Sequence, residues 1–343
     1  MSGTLKFAAL GLDHGHILGM AEGMAAAGAE FAGYWGTGSP PPLEKLRARF
    51  PDVPQCEDMA QILGDPSIGL VLIAAIPDER AALAIAAMEA GKDVMVDKPG
   101  CTSAAQLAAL RDCVARTGRI WSVNFSERFR VPSATRAGEL IRAGAIGEVV
   151  NTVGLGPHRL EAPRRAPWFF ERARYGGILT DIASHQIDQF LHFTGAETAE
   201  ISMATVANRA HPEYPGLQDF GELALRSPRA TGYVRVDWFT PGALPVWGDG
   251  RVTILGTEGY IELRKYLDPG HGPQTDTLIL VNGTRMERID CRDAGLPYFA
   301  ALAADIRDRT QTAMAQSHAF EVMRLALEAQ ALAEGGTVWA QPD

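Results

Sequence analysis

The feature that most restricts the fold is an almost wholly apolar, β-branched run from Leu70 to Ile76. A strand with one solvent-facing side alternates apolar and polar residues, whereas a continuous apolar run is expected of a strand buried on both faces. A helix is predicted to follow directly, from Glu79 to Ala90, and Gly91 stands where a helix commonly ends. The run therefore predicts a central strand of a parallel α/β sheet.

Strand and helix patterns alternate in the same way through the first third of the chain. Strands are predicted at 5–11, 29–35, 70–76, 93–96 and 120–124, and helices at 17–24, 43–50, 79–90 and 103–117. The run at 120–124 is counted as the sixth strand of the sheet. The first strand, helix and strand have the order of a dinucleotide-binding βαβ unit. Residues 1–124 are therefore predicted to form a Rossmann domain.

The loop between the first strand and the first helix carries a degenerate glycine fingerprint. Gly11 holds the first position of G-x-G-x-x-G, but Asp13 holds the second and His16 the third. In the regular motif, glycine lets the backbone approach a diphosphate at a helix N-terminus. On this motif alone, a generic β-turn-α connection is a serious competitor. The close pair His14 and His16 is interpreted as a hydrogen-bonding substitute for the missing glycines, so no metal site is predicted.

The end of the second strand does not decide between NAD and NADP. The segment Trp35-Gly36-Thr37-Gly38-Ser39 stands where an acidic residue would normally bind the ribose hydroxyls of NAD. The hydroxyls of Thr37 and Ser39, with Lys45 and Arg47 nearby, favour NADP slightly. The cofactor is therefore predicted as NAD or NADP.

The pattern changes after residue 124, and residues 125–343 are predicted to form a second, α+β domain. Strands are predicted at 149–155, 201–206, 220–225, 231–239, 251–255, 260–263 and 278–281. Their succession indicates one large, mainly antiparallel open sheet. Helices are predicted at 132–143, 298–309 and 319–333, of which the last two could pack back on the first domain. A helix at 181–194 would cover one face of the sheet, and a homodimer or homotetramer is predicted to cover the other.

One short stretch of this second region has a catalytic pattern. Apolar spacing predicts a helix over about 180–194, on which Asp181 and His185 share a face, with Asp188 one turn further. A carboxylate beside an imidazole can orient and tune a general acid or base. The glycine pair at 176–177 allows a close approach of the backbone. On this stretch alone, a capping aspartate on a helix with a packed histidine explains the pattern equally well.

The charge balance and composition restrict the partners and the location. The formal net charge of −9 argues against a nucleic-acid binder. Apolar runs stay below the roughly 18 residues of a membrane span. The first residues lead directly into a strand pattern without a signal peptide, and the four cysteines have no metal-type spacing. The expected protein is soluble and cytoplasmic, with reduced cysteines.

The loop from 158 to 174 is locally basic and aromatic. Its arginines are Arg159, Arg164, Arg165, Arg172 and Arg174. A solvated loop is favoured for them over a gate for an anionic substrate. The aromatic residues of the loop, among them Trp168, are expected to wall the substrate pocket, although a core or subunit contact would explain them equally.

Five segments, in order along nearly the whole chain, resemble motifs of the Gfo/Idh/MocA family of NAD(P)-dependent oxidoreductases. They are Ala90–Val94 followed by Asp97-Lys98-Pro99 (A-G-K-x-V…E-K-P), Asn124–Phe129 (N-x-x-x-R-F), Leu140–Val149 (L-I-x-x-G-x-I-G-x-V), Gly176–His185 (G-G-x-L-x-D-x-x-x-H) and Leu255–Gly259 (G-T-x-G). The chain departs from the family in having Asp97 for Glu, and Ile76–Arg80 where T-P-x-x-x-H is usual. The lysine triplet and the D-x-x-x-H motif are specific in combination.

The resemblance implies that Lys98, Asp181 and His185 form the catalytic group. His185 would be the general acid or base, Lys98 would polarise the reacting oxygen, and Asp181 would hold the imidazole or contact a neighbouring hydroxyl. The expected cofactor contacts are Gly11, Asp13, His14, His16, Ile17, Trp35, Ala75, Ile76, Pro77, Asp97, Lys98 and Asn124. The expected substrate contacts are Lys98, Arg128, His158, Trp168, Asp181 and His185.

Three functions compete at this point. The first is an NAD(P)-dependent dehydrogenase or reductase that acts on a secondary alcohol or ketone of a sugar, polyol or sugar-acid-like compound. The second is a glycoside hydrolase that uses bound NAD transiently, as some proteins resembling this family do. The third is a non-catalytic, nucleotide-sensing regulator, which ranks last because Lys98 and His185 are both present.

Overall fold

The computed structural model describes residues 3–268, 270 and 276–335. The chain divides into two compact units. The first unit comprises residues 1–124, 173–176 and 297–320, and the second comprises residues 125–172, 177–296 and 321–343. Each unit has its own sheet.

The first unit is built on a five-stranded parallel sheet with the strand order β2-β1-β3-β4-β5. Its elements up to residue 124 are β1 (Lys6–Leu10), α1 (His16–Ala26), β2 (Glu30–Trp35), α2 (Pro42–Arg49), α3 (Met59–Gly64), β3 (Ile68–Ile73), α4 (Arg80–Glu89), β4 (Asp93–Asp97), α5 (Ala104–Thr117) and β5 (Trp121–Asn124). The predicted Rossmann fold is confirmed. The predicted sixth strand is the fifth of the sheet, because the first third of the chain contains only five strand patterns.

The central strands of this sheet are buried as their sequence requires. In β3, Leu70 to Ile73 are 0% exposed, which follows from the continuous apolar run. Gly11, at the end of β1, has a φ of 71°, and a Cβ placed there would come within 2.4 Å of the Cβ of Ala75. Glycine is therefore needed at this position both for the left-handed backbone and for the close approach of the loop after β3.

The second unit contains an eight-stranded sheet with the order β13-β12-β11-β10-β6-β9-β8-β7. The remaining elements of the chain are α6 (Ser126–Phe129), α7 (Pro132–Arg142), β6 (Val149–Pro157), α8 (Arg172–Tyr175), α9 (Ile178–Asp181), α10 (Ala183–Thr194), β7 (Glu200–Ala207), β8 (Phe220–Arg226), β9 (Thr231–Asp237), β10 (Arg251–Gly256), β11 (Gly259–Arg264), β12 (Thr277–Asn282), β13 (Met286–Asp290), α11 (Pro297–Asp308) and α12 (Gln316–Ala333). Within the described part of this sheet, the pairing of β6 with β9 is parallel and all the other pairings are antiparallel. The predicted large, mainly antiparallel sheet is confirmed.

The helix α10 covers one face of this sheet, where it packs on β6 and β9. Two glycines of β6 make room for it, because a Cβ on Gly154 or Gly156 would come within 2.9 and 2.8 Å of the Gln186 side chain. The predicted helix over 180–194 is interrupted at Ile182, so that Asp181 ends α9 and His185 lies in the first turn of α10.

The opposite face of the sheet is partly exposed. Inward residues of β10 such as Val252 and Ile254 are buried, whereas the alternate residues point away from α10. Leu255 and Tyr260 form a cross-strand pair and are 44% and 38% exposed. The second unit thus presents large apolar side chains on an uncovered face.

The helices in the described part of the chain are all too short or too polar to cross a membrane.

Candidate functional site

The predicted cofactor contacts of the first unit lie at one edge of its sheet. They follow the carboxyl ends of the strands: Gly11, Asp13, His14, His16 and Ile17 after β1, Trp35 at the end of β2, Ala75, Ile76 and Pro77 after β3, Asp97 and Lys98 at β4, and Asn124 at β5. Because parallel strands end at the same edge, the fold gathers residues that are far apart in the sequence. This is the edge at which open α/β sheets bind their ligands.

The imidazoles of His14 and His16 share one carboxylate. Nδ1 of His14 lies 2.9 Å from Oδ2 of Asp97, and Nδ1 of His16 lies 2.8 Å from Oδ1. Burial alone would raise the pKa of Asp97, but His16, Arg80 and His14 outweigh it and hold that pKa well below its usual range. Burial, and then the neighbouring His16, lower the pKa of His14 to about 4. The carboxylate is therefore anionic.

Arg80 holds this carboxylate in place, and no sequence pattern indicated its role. Its guanidinium is 0% exposed and lies 3.2 Å from Oδ2 of Asp97. It also donates to the backbone carbonyls of Ala75, Asp97, Lys98 and Pro99 at 2.5–3.1 Å. Arg80 thus ties the loop after β3 to the end of β4.

Lys98 directly follows β4 and is 4% exposed. Its backbone carbonyl accepts a hydrogen bond from Arg80 at 2.5 Å, which fixes the main chain from which the side chain starts. Lys98 is also close enough to His14 to disfavour a proton on that ring. A cation at this strand end fits the predicted role of polarising an oxygen.

The amide of Asn124 offers a direct test of whether a nicotinamide dinucleotide fits here. Asn124 is 1% exposed, and neither its Oδ1 nor its Nδ2 has a hydrogen-bond partner among the described residues. A buried amide without partners is costly unless a ligand or water satisfies it. Together with Gly11 and the start of α1 at His16, Asn124 is suited to hold a ligand that carries amide and phosphate groups.

In the second unit, Asp181 and His185 lie on either side of the break at Ile182. Asp181 is 8% exposed and His185 is 1% exposed. The ring of Phe125 meets the His185 ring edge to face, with 6.4 Å between the centroids. Arg165 lies close enough to Asp181 for electrostatic attraction. Both predicted catalytic residues of this unit are therefore buried around the start of α10.

A second carboxylate, Glu127, lies near His185, and sequence reasoning missed it. Glu127 is 4% exposed, and its Oε2 accepts from Nζ of Lys265 at 2.7 Å and from Nε2 of Gln186 at 2.9 Å. Burial would raise the pKa of Glu127, but Lys265, then His185 and His158, lower it to about 2. The carboxylate is therefore ionised and adds negative charge beside His185.

The signals for this cluster were weak. Glu127 occupies one of the x positions of the N-x-x-x-R-F segment, and Lys265 is 138 positions away in the sequence. The alternation of Gly154 and Gly156 in β6 was the better clue, because a strand with two such glycines favours close packing of another element. That element is the helix that carries Gln186 and His185.

The other predicted substrate residues belong to the second unit. The Arg128 guanidinium makes two hydrogen bonds, of 2.7 and 2.6 Å, to the Asp188 carboxylate, so it orients α6 against α10. His158 lies 3.9 Å from Oε1 of Glu127 and stands edge to face with Trp238. Trp168 is half-buried in a short 3₁₀ segment. A substrate role for these three stays a prediction.

The expectation of a solvated arginine loop is wrong for two members of the run. Arg165 lies over the rings of Phe169 and Trp247, with its Cζ 4.3 and 4.9 Å from their centroids. Burial lowers the pKa of Arg165 to about 10. Arg159 donates to the carbonyls of three residues between 241 and 246. Apolar rings and backbone acceptors offset their desolvation, which the sequence spacing could not show.

The two sheets define a protein with an N-terminal Rossmann fold, followed by an α+β region built on a large, mainly antiparallel sheet. Residues 20–125 match the model of an oxidoreductase family with an NAD-binding Rossmann fold. Residues 134–262 match the model of the GFO/IDH/MocA C-terminal domain. The chain belongs to the GFO/IDH/MocA family of oxidoreductases. The predicted family and the predicted cofactor class are confirmed.

Three relatives illustrate this membership. The solved structure of a provisionally assigned oxidoreductase from Erwinia carotovora atroseptica SCRI1043 is 45% identical, covers 95% of this chain and 98% of its own, and superposes with a TM-score of 0.92. Levoglucosan dehydrogenase of Pseudarthrobacter phenanthrenivorans is 34% identical over 50% of this chain and 44% of its own length. The scyllo-inositol 2-dehydrogenase (NAD(+)) of Bacillus subtilis is 29% identical over 60% of this chain and 58% of its own length. The chain thus spans about half the length of these two curated relatives.

Proposed function

We propose that this protein is an NAD(P)-dependent dehydrogenase or reductase that acts on a secondary alcohol or ketone of a sugar, polyol or sugar-acid-like substrate. The observation that carries the proposal is the buried Lys98 at the carboxyl end of β4, on the edge of a sheet that matches an NAD-binding Rossmann family. A buried ammonium at a ligand-binding edge is suited to stabilise a developing oxyanion.

The residues that would hold the cofactor are those after β1, β3, β4 and β5. Gly11 leaves room for close backbone approach, the start of α1 favours a diphosphate, and Asn124 supplies a buried amide. The nicotinamide supplies the hydride acceptor or donor when it is bound. The protein's own side chains would move the proton and stabilise the charge on the oxygen.

We assign the proton to His185 and the oxygen to Lys98. When an alcohol is oxidised, its hydroxyl proton leaves toward a base, and an imidazole can accept it near neutral pH. The Lys98 ammonium would stabilise the negative charge that the oxygen gains. Asp181 would orient the His185 ring or bind a neighbouring hydroxyl, and the ionised Glu127 favours the protonated ring.

The substrate class rests on the relatives. Levoglucosan and scyllo-inositol, which appear in the names of two of them, are both polyhydroxylated rings. They are the first compounds to test, followed by other inositols, sugars and sugar acids. Arg47 is one of the two cations near the second strand that favoured NADP, and it donates to Tyr34 and Gln55 at 3.3 and 2.6 Å. Because these bonds already engage its guanidinium, NAD and NADP are equal candidates.

A substrate panel tests the proposed function. We expect at least one polyhydroxylated compound to reduce NAD or NADP, measured by absorbance of the reduced nicotinamide. A matched panel of glycosides, scored for released sugar, tests the hydrolase alternative. Released sugar without net change of cofactor would contradict the dehydrogenase and favour the hydrolase. Cofactor binding without turnover of either panel would favour the regulator.

We also propose that the protein is a homodimer or homotetramer formed through the uncovered face of the large sheet. Leu255 and Tyr260 are the exposed cross-strand pair on that face, and exposed apolar patches of this kind mark interaction sites. We expect Leu255→Glu to lower the solution mass measured by light scattering, because a carboxylate would be buried in the interface.

Leu296→Glu is the matched control for the interface, because Leu296 is 39% exposed and lies between β13 and α11, outside the sheet. It is expected to leave the solution mass unchanged. An unchanged mass for Leu255→Glu, or a monomeric wild-type protein, would contradict assembly through this face. The cytoplasmic location stays a prediction.

A further inference from the structure

The histidine pair after β1 is built around a single buried anion. Asp97 is 0% exposed, whereas the side chains of His14 and His16 are 22% and 34% exposed. Each imidazole meets a different oxygen of the carboxylate through Nδ1, and the rings stand edge to face with 4.3 Å between centroids. Because the anionic carboxylate can only accept hydrogen bonds, each Nδ1 carries the hydrogen of its ring and donates it.

This arrangement determines what the other ring nitrogen can do. With Nδ1 donating to Asp97, Nε2 is the remaining polar atom of each ring and is free to gain a proton. Arg80 donates to the same carboxylate at 3.2 Å and prevents it from moving toward either ring. A carboxylate that holds the tautomer of a histidine also makes its outer nitrogen more basic.

The pair also lies where a diphosphate is expected. His16 begins α1, whose N-cap Gly15 provides no side-chain cap, and the backbone N–H of Ile17 and Leu18 make only long bonds of 3.3 Å to the residues three before them. The start of a helix after the first strand of a dinucleotide-binding unit attracts phosphate. Nε2 of a protonated imidazole would add a charged donor to those N–H groups.

The three departures of this chain from the family pattern thus meet in one cluster. His16 replaces a glycine of the fingerprint, Asp97 replaces the glutamate of the lysine triplet, and Arg80 lies in the segment that departs from T-P-x-x-x-H. Aspartate is one methylene shorter than glutamate, which leaves room for two rings above the carboxylate. The three departures therefore have a common structural explanation, because their side chains contact one another.

We propose that His14 and His16 bind the diphosphate of the cofactor as imidazolium groups held by Asp97, so that cofactor binding takes up protons and tightens as the pH falls. The inference deepens the proposed function and rests on it for the use of a nicotinamide dinucleotide. The charged groups that face the pair are Asp97 of β4, Arg80 of α4 and Lys98 after β4, with Asp13 in the same loop.

The direction of the pH dependence follows from these charges. Burial, the neighbouring His16 and, to a lesser extent, Lys98 oppose a proton on His14 in the free protein. A diphosphate at Nε2 favours that proton, so the histidine pKa is higher in the complex than in the free protein. Affinity should therefore increase toward low pH, by at most about tenfold per pH unit for each proton taken up.

A divalent metal is the competing use of the same atoms. The ligand atoms of His14, His16 and Asp97 lie within 4.8 Å of one another. However, a metal ion would have to share the Asp97 carboxylate with the guanidinium of Arg80, which already contacts it. The positive charge of Arg80 would repel a metal cation bound to the same carboxylate. A proton on Nε2 is on the side of each ring away from Asp97 and Arg80, so it meets less of this repulsion.

Calorimetric titration with NADH and NADPH tests the proposal. The wild-type protein is titrated between about pH 6 and 8, the range in which histidines titrate, in two buffers of different ionisation enthalpy that reveal proton uptake. We expect proton uptake and a dissociation constant that falls with pH. The substitutions His14→Asn and His16→Asn keep an amide N–H near the position of Nδ1 but remove Nε2, so together they should abolish both effects.

A matched control separates this role from a general loss of histidine. His211 forms a similar pair on the second unit, with its Nδ1 2.8 Å from Oδ2 of Asp219. His211→Asn should leave the pH dependence unchanged. Nicotinamide riboside, which carries no phosphate, should bind without proton uptake. Circular dichroism at each pH confirms that the variants are folded, and His16→Gln provides a second substitution if His16→Asn is not.

The outcomes are distinct. An unchanged pH dependence in the double variant would overturn the proposal. So would binding of Zn²⁺ that requires His14 and His16 while NADH affinity is independent of pH, because the cluster would then be a metal site. Absence of NADH and NADPH binding by the wild-type protein would instead contradict the proposed function.

Discussion

Replacing Lys98 with methionine is expected to lower kcat by about a hundred- to ten-thousand-fold with little change in the dissociation constant for NADH or NADPH. Methionine keeps most of the length and volume of the side chain, which is 4% exposed, but it carries no charge. The loss would therefore fall on the stabilisation of the reacting oxygen. Steady-state kinetics on the best compound of the substrate panel and calorimetric titration of the cofactor measure the two quantities separately.

The matched control for this experiment is Lys92→Met. Lys92 is also 4% exposed and precedes β4, whereas Lys98 follows it. Its ammonium donates to the backbone carbonyl of Asp65 at the amino-terminal edge of the sheet, so it has no access to the ligand-binding edge. We expect Lys92→Met to change stability and to leave kcat close to the wild-type value. Retained turnover in Lys98→Met would remove the proposed catalytic role.

The second large effect concerns stability and the buried pair of Glu127 and Lys265. Lys265 is 0% exposed, and its Nζ lies 2.7 Å from Oε2 of Glu127. Lys265→Met would leave the carboxylate buried without its cation, which costs about 3–5 kcal/mol. Urea unfolding followed by hydrogen exchange of peptides from the second unit measures that loss separately from the first unit.

The double variant Glu127→Gln/Lys265→Met is the control, because it removes both charges and keeps an acceptor for Gln186. It should recover most of the lost stability, since replacing a buried ion pair is often nearly neutral. Equal destabilisation of Lys265→Met and the double variant would show that the fold requires the packing of the Lys265 side chain and not its charge.

The pH dependence of stability gives an independent check on Glu127. Its pKa is lowered from 4.5 to about 2 in the folded protein. A carboxylate with a depressed folded-state pKa contributes stability that is complete above the unfolded value and is lost as the pH falls through the folded value. The wild-type protein should therefore lose this contribution between about pH 4.5 and 2, and the double variant should not.

The sequence predicted the elements of the fold better than their connections. The apolar run at β3 and the alternation around it identified all five strands of the first sheet. The strand β13 was missed because Met286–Asp290 lies at the sheet edge, half exposed and rich in charge, so it has no apolar pattern. The parallel pairing of β6 with β9 depends on packing between distant segments, which periodicity does not encode.

The candidate site was predictable where a motif carried it. Lys98, Asp181 and His185 stood in family-like segments, but their joint role remains a proposal. Glu127, Lys265 and Arg80 were missed because a buried charge is recognised by its partner, and each partner lies far away in the sequence or is a backbone carbonyl. The break at Ile182 was missed for a similar reason, since apolar spacing continues through it.

Hydride transfer from the substrate carbon to the nicotinamide can be followed with deuterium. A polyol from the panel that carries deuterium on the carbon of the reacting alcohol is incubated with the protein and the preferred cofactor, and the reduced nicotinamide is analysed by mass spectrometry. We expect one deuterium in each reduced nicotinamide formed by the wild-type protein, and almost no reduced nicotinamide with Lys98→Met. Conversion of the compound without deuterium in the nicotinamide would contradict the proposed dehydrogenase activity.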